Sequence, residues 1–100
     1  MPAAHTIPAV NRLRSVLPEL RRDFPLGRMA LFGSVARGES RPDSDVDILV
    51  EVDPSIGLGF VTLAERLETV LGRKVDLVSR RALKPGLWKQ IEPELIDVEA

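Results

Sequence analysis

The sequence predicts an α/β domain in which a small mixed β-sheet of three to four strands is flanked by helices. Two observations indicate this class. Apolar residues recur every three to four positions in long stretches, and short apolar or alternating runs lie between those stretches. The resulting order of helix, strand, short helix, strand, helix, strand and helix suits one sheet layer covered by helices. A length of 100 residues also suits a single domain, here residues 1–100.

The first helix is predicted from an apolar stripe between residues 10 and 24. Pro18 lies inside this stripe and removes one backbone hydrogen bond, so we expect the helix either to kink there or to begin afresh near Ser15. Residues 1–8 precede the stripe, and we expect them to form a mobile N-terminus. His5, the single histidine, lies in this segment and is expected to be inert.

Three strands and a short edge strand are predicted. Residues 29–32 form an apolar run that ends at a glycine, which is typical of a buried strand. Residues 45–52 alternate between the two faces of a strand. Their apolar face carries Val46, Ile48, Val50 and Val52. Residues 74–79 are predicted to form the third strand, and residues 96–98 a short strand at the sheet edge.

Two further helices are predicted. One apolar stripe runs from Phe60 to Leu71 and ends at Gly72, which is typical of a glycine that terminates a helix. A last helix is predicted to break at or before Pro93. Its apolar positions are Leu83, Leu87, Ile91 and Leu95.

Composition narrows the classes of partner. The 14 basic and 15 acidic residues give a formal net charge of −1, which argues against a long nucleic acid as the main partner because backbone binding relies on clustered Lys and Arg. This near-neutral charge does not exclude a mononucleotide as a ligand. The absence of cysteine excludes disulfides and suits a reducing cytoplasm. We see no signal peptide and no apolar run near the roughly 20 residues that a membrane helix needs, so a cytoplasmic protein without a membrane partner is expected.

Two carboxylates, Asp45 and Asp47, lie at the start of the second strand. Side chains two positions apart share one face, with Cα atoms about 6.5–7 Å apart. Mg²⁺ prefers such oxygen ligands together with substrate phosphates, and two ions about 3.5–4 Å apart can stabilise both the attacking and the leaving oxygen of an in-line displacement. The alternative is an acidic turn in which Asp43 or Asp45 caps local amides.

A third carboxylate, Asp76, interrupts the apolar pattern of the third strand. If the strands at 45–52 and 74–79 are neighbours, Asp76 joins Asp45 and Asp47 on the same face. It could then ligate a second metal ion or take the proton from an attacking hydroxyl. The alternative is a solvated strand residue.

Four residues are candidates for nucleotide binding: Gly33, Ser34, Arg37 and Ser44. Glycine permits close backbone approach to a phosphate, and the Ser34 hydroxyl can donate to a β- or γ-phosphate oxygen. Arg37 could contact phosphate or pair with Glu39 or Asp43, and both readings stay open. Ser44 could bond a phosphate or cap a turn, and the turn is favoured.

With these residues identified, the chain resembles the minimal nucleotidyltransferase (MNT) domains of the DNA polymerase β-like superfamily. The resemblance is carried by residues 31–39 (LFGSVARGE), residues 41–50 (RPDSDVDILV) and residues 74–78 (KVDLV). It implies the nucleotidyltransferase fold with ATP and Mg²⁺ bound. It also implies Asp45 and Asp47 as metal ligands, with Asp76 as the third acidic residue and Gly33 and Ser34 on the triphosphate.

Domains of this length resemble the antitoxin half of HEPN–MNT toxin–antitoxin pairs. The resemblance implies transfer of AMP from ATP to a tyrosine hydroxyl of a HEPN ribonuclease toxin. A second hypothesis is an antitoxin that masks the HEPN toxin by contact alone. A third is a nucleotidyltransferase that acts on RNA or on a small molecule such as an aminoglycoside. Length disfavours this third class, because such enzymes usually add a domain for the acceptor, and the near-neutral charge further disfavours RNA.

Overall fold

A computed structural model describes residues 7–99 of the chain and contains a four-stranded mixed sheet flanked by helices. The elements are α1 (Pro8–Asp23), β1 (Leu26–Phe32), α2 (Gly33–Ala36), β2 (Val46–Val52), α3 (Gly59–Leu71), β3 (Val75–Ser79), α4 (Pro85–Ile91) and β4 (Ile96–Asp97). Single 3₁₀ turns lie at Pro54–Ile56, Arg80–Ala82 and Glu92–Glu94. The predicted fold class is confirmed.

The strand order is β3-β2-β1-β4. Strand β1 runs antiparallel to both β2 and β4, whereas β2 and β3 are parallel. The expected neighbours, the strands predicted at 45–52 and 74–79, therefore pair directly. The short edge strand predicted at 96–98 is also present, since Ile96 pairs with Leu31 and Asp97 with Ala30.

The first helix begins earlier than its apolar stripe indicates. Residues 1–6 of the expected mobile N-terminus, His5 included, lie outside the described residues. Ile7 is buried and Pro8 begins α1, so these two residues belong to the folded domain. Pro at the first helical position suits a helix start, because its missing N–H would have no intrahelical partner there.

Helix α1 runs unbroken through Pro18, so of the two alternatives the fresh start near Ser15 is wrong. Leu13, Leu17 and Leu20 lie on both sides of Pro18 and are fully buried. Pro18 itself faces solvent. Packing of this apolar face outweighs the cost of one missing backbone bond, because tertiary burial supplies most helical stability in proteins.

The two faces of the sheet differ in what covers them. Val46, Ile48 and Val50 of β2 are fully buried in one apolar cluster with side chains of α1 and α3. Asp47 and Leu49 alternate with them and project to the opposite face. The predicted alternation of this strand is confirmed, and it places Asp47 on the face that α1 and α3 leave uncovered.

The C-terminal segment is less helical than its apolar spacing predicts. Helix α4 spans only Pro85–Ile91, so Leu83 and Leu95, which were predicted on this helix, lie in extended backbone outside it. The expected break at or before Pro93 is confirmed, since the 3₁₀ turn Glu92–Glu94 follows. Within residues 7–99, no helix has the length and apolar character that crossing a membrane requires.

Candidate active site

Two carboxylates meet where three strands come to one edge of the sheet. Asp47 of β2 and Asp76 of β3 are direct partners in the parallel register, and Phe32 at the end of β1 is the antiparallel partner of Asp47. Paired residues project to the same face. The predicted convergence of Asp47 and Asp76 is therefore present. Asp45 lies in the loop directly before β2.

The turn after β1 packs directly against this pair. Gly33 has a φ of +75°, in the left-handed region. A Cβ placed on Gly33 would lie 3.0 Å from Asp47 Cγ and 3.3 Å from Asp47 Cβ, with the carboxylate oxygen closer still. The position therefore needs glycine for two reasons, backbone conformation and space. Ser34 follows as the second residue of α2 and is partly buried.

The surroundings of Asp47 shift the pKa of its carboxyl group. Partial burial raises its pKa above the usual range for Asp, and the negative charges of Asp76 and Asp45 raise it further, while Arg37 acts in the opposite direction. The charges of Asp76 and Asp45 therefore both act on Asp47. Among residues 7–99, however, no three acidic or histidine side chains are arranged as a ready-made metal site.

Arg37 is engaged by two carboxylates. Its Nε donates to Glu39 at 2.9 Å, and its Nη1 donates to Glu94 at 3.2 Å. The pairing with Glu39 that the sequence left open is therefore observed. Glu94 also accepts the Gly33 backbone N–H at 2.9 Å. Sequence reasoning missed Glu94, because no periodicity distinguishes it and it lies 61 positions from Gly33.

Ser44 closes the turn that leads into β2. Its hydroxyl oxygen accepts the Arg41 backbone N–H at 3.0 Å, and its own N–H donates to the Arg41 carbonyl at 2.9 Å. Arg73 spans the same turn by donating to the carbonyls of Ser44 and Arg41 at 2.6 and 2.9 Å. The turn role of Ser44 is thus observed, and a contact with nucleotide stays a prediction.

A cavity of about 430 Å³ opens between this edge of the sheet and α4. Gly33, Asp76 and Glu94 contribute to its polar wall, and Val78 and Leu87 contribute to its apolar wall. Leu87 is 48% exposed. The cavity is large enough to admit a planar ring beside the carboxylates, and its mixed lining is typical of small-molecule sites.

Comparison with known proteins identifies a family to which this chain belongs. The nucleotidyltransferase domain model matches residues 13–98, a span that includes every site residue described above. A curated relative, protein adenylyltransferase MntA of Thermococcus cleftensis, is 46% identical over 82 residues, which cover 80% of this chain and 82% of the relative.

Two solved structures resemble the fold closely. A toxin–antitoxin structure with AMP-PNP superposes with a TM-score of 0.70 at 30% identity, covering 85% of this chain and 71% of that one. A tri-AMPylated Shewanella oneidensis HEPN toxin in complex with its MNT antitoxin gives a TM-score of 0.66 at 26% identity, covering 90% and 71%.

Proposed function

Because this chain belongs to the nucleotidyltransferase domain family, we propose that it is a Mg²⁺-dependent protein adenylyltransferase and the antitoxin of a two-protein pair. It transfers AMP from ATP to a tyrosine hydroxyl on a HEPN ribonuclease toxin. The relative named protein adenylyltransferase and the neighbour complexed with an AMPylated HEPN toxin support this choice of donor and acceptor.

The observation that carries the proposal is the register of Asp47 and Asp76 beside Gly33. Nucleotidyl transfer needs carboxylates for metal ions on one side of the reacting phosphate and a close-approaching backbone turn for the remaining phosphates. These two requirements meet at one edge of the sheet. The cavity beside Asp76 leaves room for an incoming acceptor side chain.

The donor set fits Mg²⁺. Asp45, Asp47 and Asp76 offer carboxylate oxygens, which Mg²⁺ prefers, and substrate phosphates ordinarily complete its octahedron. In this proposal Asp45 and Asp47 hold the metal ions, and Asp76 lies beside them as the third carboxylate. Bound Mg²⁺ neutralises charge on the triphosphate and on the leaving pyrophosphate.

The residues of the chain then have separate tasks. Gly33 and Ser34 form the turn that binds the β- and γ-phosphates, with Arg37 and Ser44 as further nucleotide contacts. Asp76 accepts the proton of the tyrosine hydroxyl as its oxygen attacks the α-phosphorus in line. The bond from the α-phosphorus to the bridging oxygen breaks, pyrophosphate leaves, and the product is an AMP-tyrosine phosphodiester.

A contact-only antitoxin is the second candidate. One observation favours it: the Gly33 N–H and the Arg37 guanidinium, both candidates for a phosphate contact, are already hydrogen-bonded within the chain. In this case neutralisation of the toxin depends on the protein surface and not on the carboxylates.

The two candidates are separated by mass spectrometry of the partner. The chain is incubated with the protein encoded by the neighbouring gene, Mg²⁺ and ATP, and ribonuclease activity of that protein is followed in parallel. We expect a gain of AMP mass that disappears in Asp45→Ala/Asp47→Ala and persists in Asp43→Ala, an exposed residue of the same loop. Toxin neutralisation by the double variant, without any mass gain, contradicts the enzymatic proposal.

A further inference from the structure

One side chain touches both ends of α2. The Glu94 carboxylate accepts the Gly33 N–H at 2.9 Å and pairs with Arg37 at 3.2 Å. Gly33 begins the four-residue helix α2, and Arg37 directly follows its end. A helix this short is unstable alone, because few backbone bonds offset the cost of its nucleation. Its geometry therefore depends on tertiary contacts such as these.

The segment that carries Glu94 is itself anchored. Ile96 pairs with Leu31 of β1, the strand that leads into α2. The Val98 N–H donates to the Met29 carbonyl at 2.8 Å, and the Val98 side chain is buried. The Glu94 side chain is only 24% exposed. Strand β1 therefore holds the segment of Glu94 in place, and the Glu94 carboxylate contacts the turn that follows the same strand.

The charge of Glu94 needs an explanation. A negative charge beside a triphosphate is unfavourable, and Glu94 also contributes to the raised pKa of Asp47. A neutral amide could also accept the Gly33 N–H, though in a weaker hydrogen bond. What the carboxylate adds is a charge-assisted pair with the Arg37 guanidinium, a stronger and more directional contact than a neutral hydrogen bond.

We propose that Glu94 is a positioning residue for the nucleotide: it takes up the Gly33 N–H and the Arg37 Nη1, and thereby fixes α2 so that Ser34 and the Arg37 Nη2 receive the phosphates of ATP. This inference rests on the proposed function for the identity of the ligand. It predicts an effect opposite in sign to simple electrostatics: loss of the negative charge weakens binding of an anionic nucleotide, because orientation of Ser34 and Arg37 outweighs relief of repulsion.

The test compares the wild type with Glu94→Gln and with Glu92→Gln. The control removes the same charge from an exposed residue of the same 3₁₀ turn. Binding of AMP-PNP with Mg²⁺ is measured by isothermal titration calorimetry, and the thermal midpoint is recorded for each protein. We expect Glu94→Gln to weaken binding about tenfold, equivalent to the loss of one charge-assisted hydrogen bond. Glu92→Gln should stay within about twofold of the wild type.

A third variant separates the effect of side-chain length at position 94 from the effect of its charge. Glu94→Asp keeps the negative charge but shortens the side chain by one methylene, so it should also weaken AMP-PNP binding at an unchanged local charge. It also serves as the test if Glu94→Gln does not fold. Binding by the folded Glu94 variants that equals or exceeds that of the wild type overturns the proposal.

The binding experiment contains no acceptor protein. Failure of AMP transfer in the mass-spectrometric experiment, with AMP-PNP binding intact, therefore contradicts the proposed function and leaves the role of Glu94 standing. Unchanged nucleotide binding in the Glu94 variants, alongside normal AMP transfer by the wild type, contradicts only the positioning role.

Discussion

The Asp47 carboxylate occupies the space that a side chain on Gly33 would need. A Cβ there would lie 3.0 Å from Asp47 Cγ, and the backbone at Gly33 is left-handed with a φ of +75°. The Asp47 carboxylate can therefore take this position only because residue 33 has no side chain. This contact joins the turn after β1 and a residue of β2 into one site.

Gly33→Ala is expected to reduce both stability and activity. A left-handed non-glycine residue costs about 1–2 kcal/mol, and displacement of Asp47 adds to that cost. Chemical denaturation measures the first effect and AMP transfer the second. Gly86→Ala is the control, since a Cβ at Gly86 meets nothing within 4 Å, and its stability should stay within about 1 kcal/mol of the wild type. Wild-type activity in Gly33→Ala would contradict the contact.

Asp47→Asn is expected to raise the thermal midpoint at pH 7 while it abolishes transfer. Burial and the charges of Asp76 and Asp45 raise the pKa of Asp47 above its usual value. The folded state thus binds this proton more tightly than the unfolded state does, and the ionised carboxylate lowers stability at pH values above the unfolded pKa.

The gain from Asp47→Asn should shrink as the pH falls, and should vanish below pH 3.8, the ordinary pKa of an Asp side chain, where Asp47 is protonated in both states. Thermal melts of the two proteins from pH 3 to pH 8 in the presence of a chelator measure this dependence. An equal midpoint for the two proteins at every pH would contradict the raised pKa.

Val98→Ala is expected to destabilise the domain by about 2 kcal/mol, since it removes two buried methyl groups. Val98 is 2% exposed and lies next to β4. Val61→Ala at a 56% exposed position is the matched control and should change stability little. Because β4 anchors the segment of Glu94, we also expect weaker AMP-PNP binding in Val98→Ala. Unchanged stability of this variant would indicate that the C-terminal segment is not docked as described.

Local patterns were sufficient to predict the part of the site that lies on the strands. Alternation placed Asp47 on the face opposite Val46 and Ile48, and Asp76 stood out as a carboxylate within an apolar strand. The parallel pairing of β2 and β3 then brought the two together. Both features depend on the two-residue period of a strand, which the sequence carries directly.

Other parts depend on contacts between distant segments. The Glu94 contact with Gly33 spans 61 positions, and no short-range pattern encodes it. The limits of α4 were also missed. Apolar spacing extended the predicted helix to Leu83 and Leu95, whereas Pro85, suited to a first helical position, begins the helix that is observed.

In the proposed function, the Asp47–Asp76 pair carries out the transfer of AMP from ATP. The most direct test of this claim is transfer of label from ATP carrying ³²P at the α-position to the partner toxin, in parallel with AMP-PNP binding, for the wild type and Asp76→Asn. We expect the wild type to label a tyrosine of the toxin, and Asp76→Asn to bind AMP-PNP but lose labelling at least about a hundredfold, as removal of a general base does. Labelling by Asp76→Asn at the wild-type rate would contradict the claim.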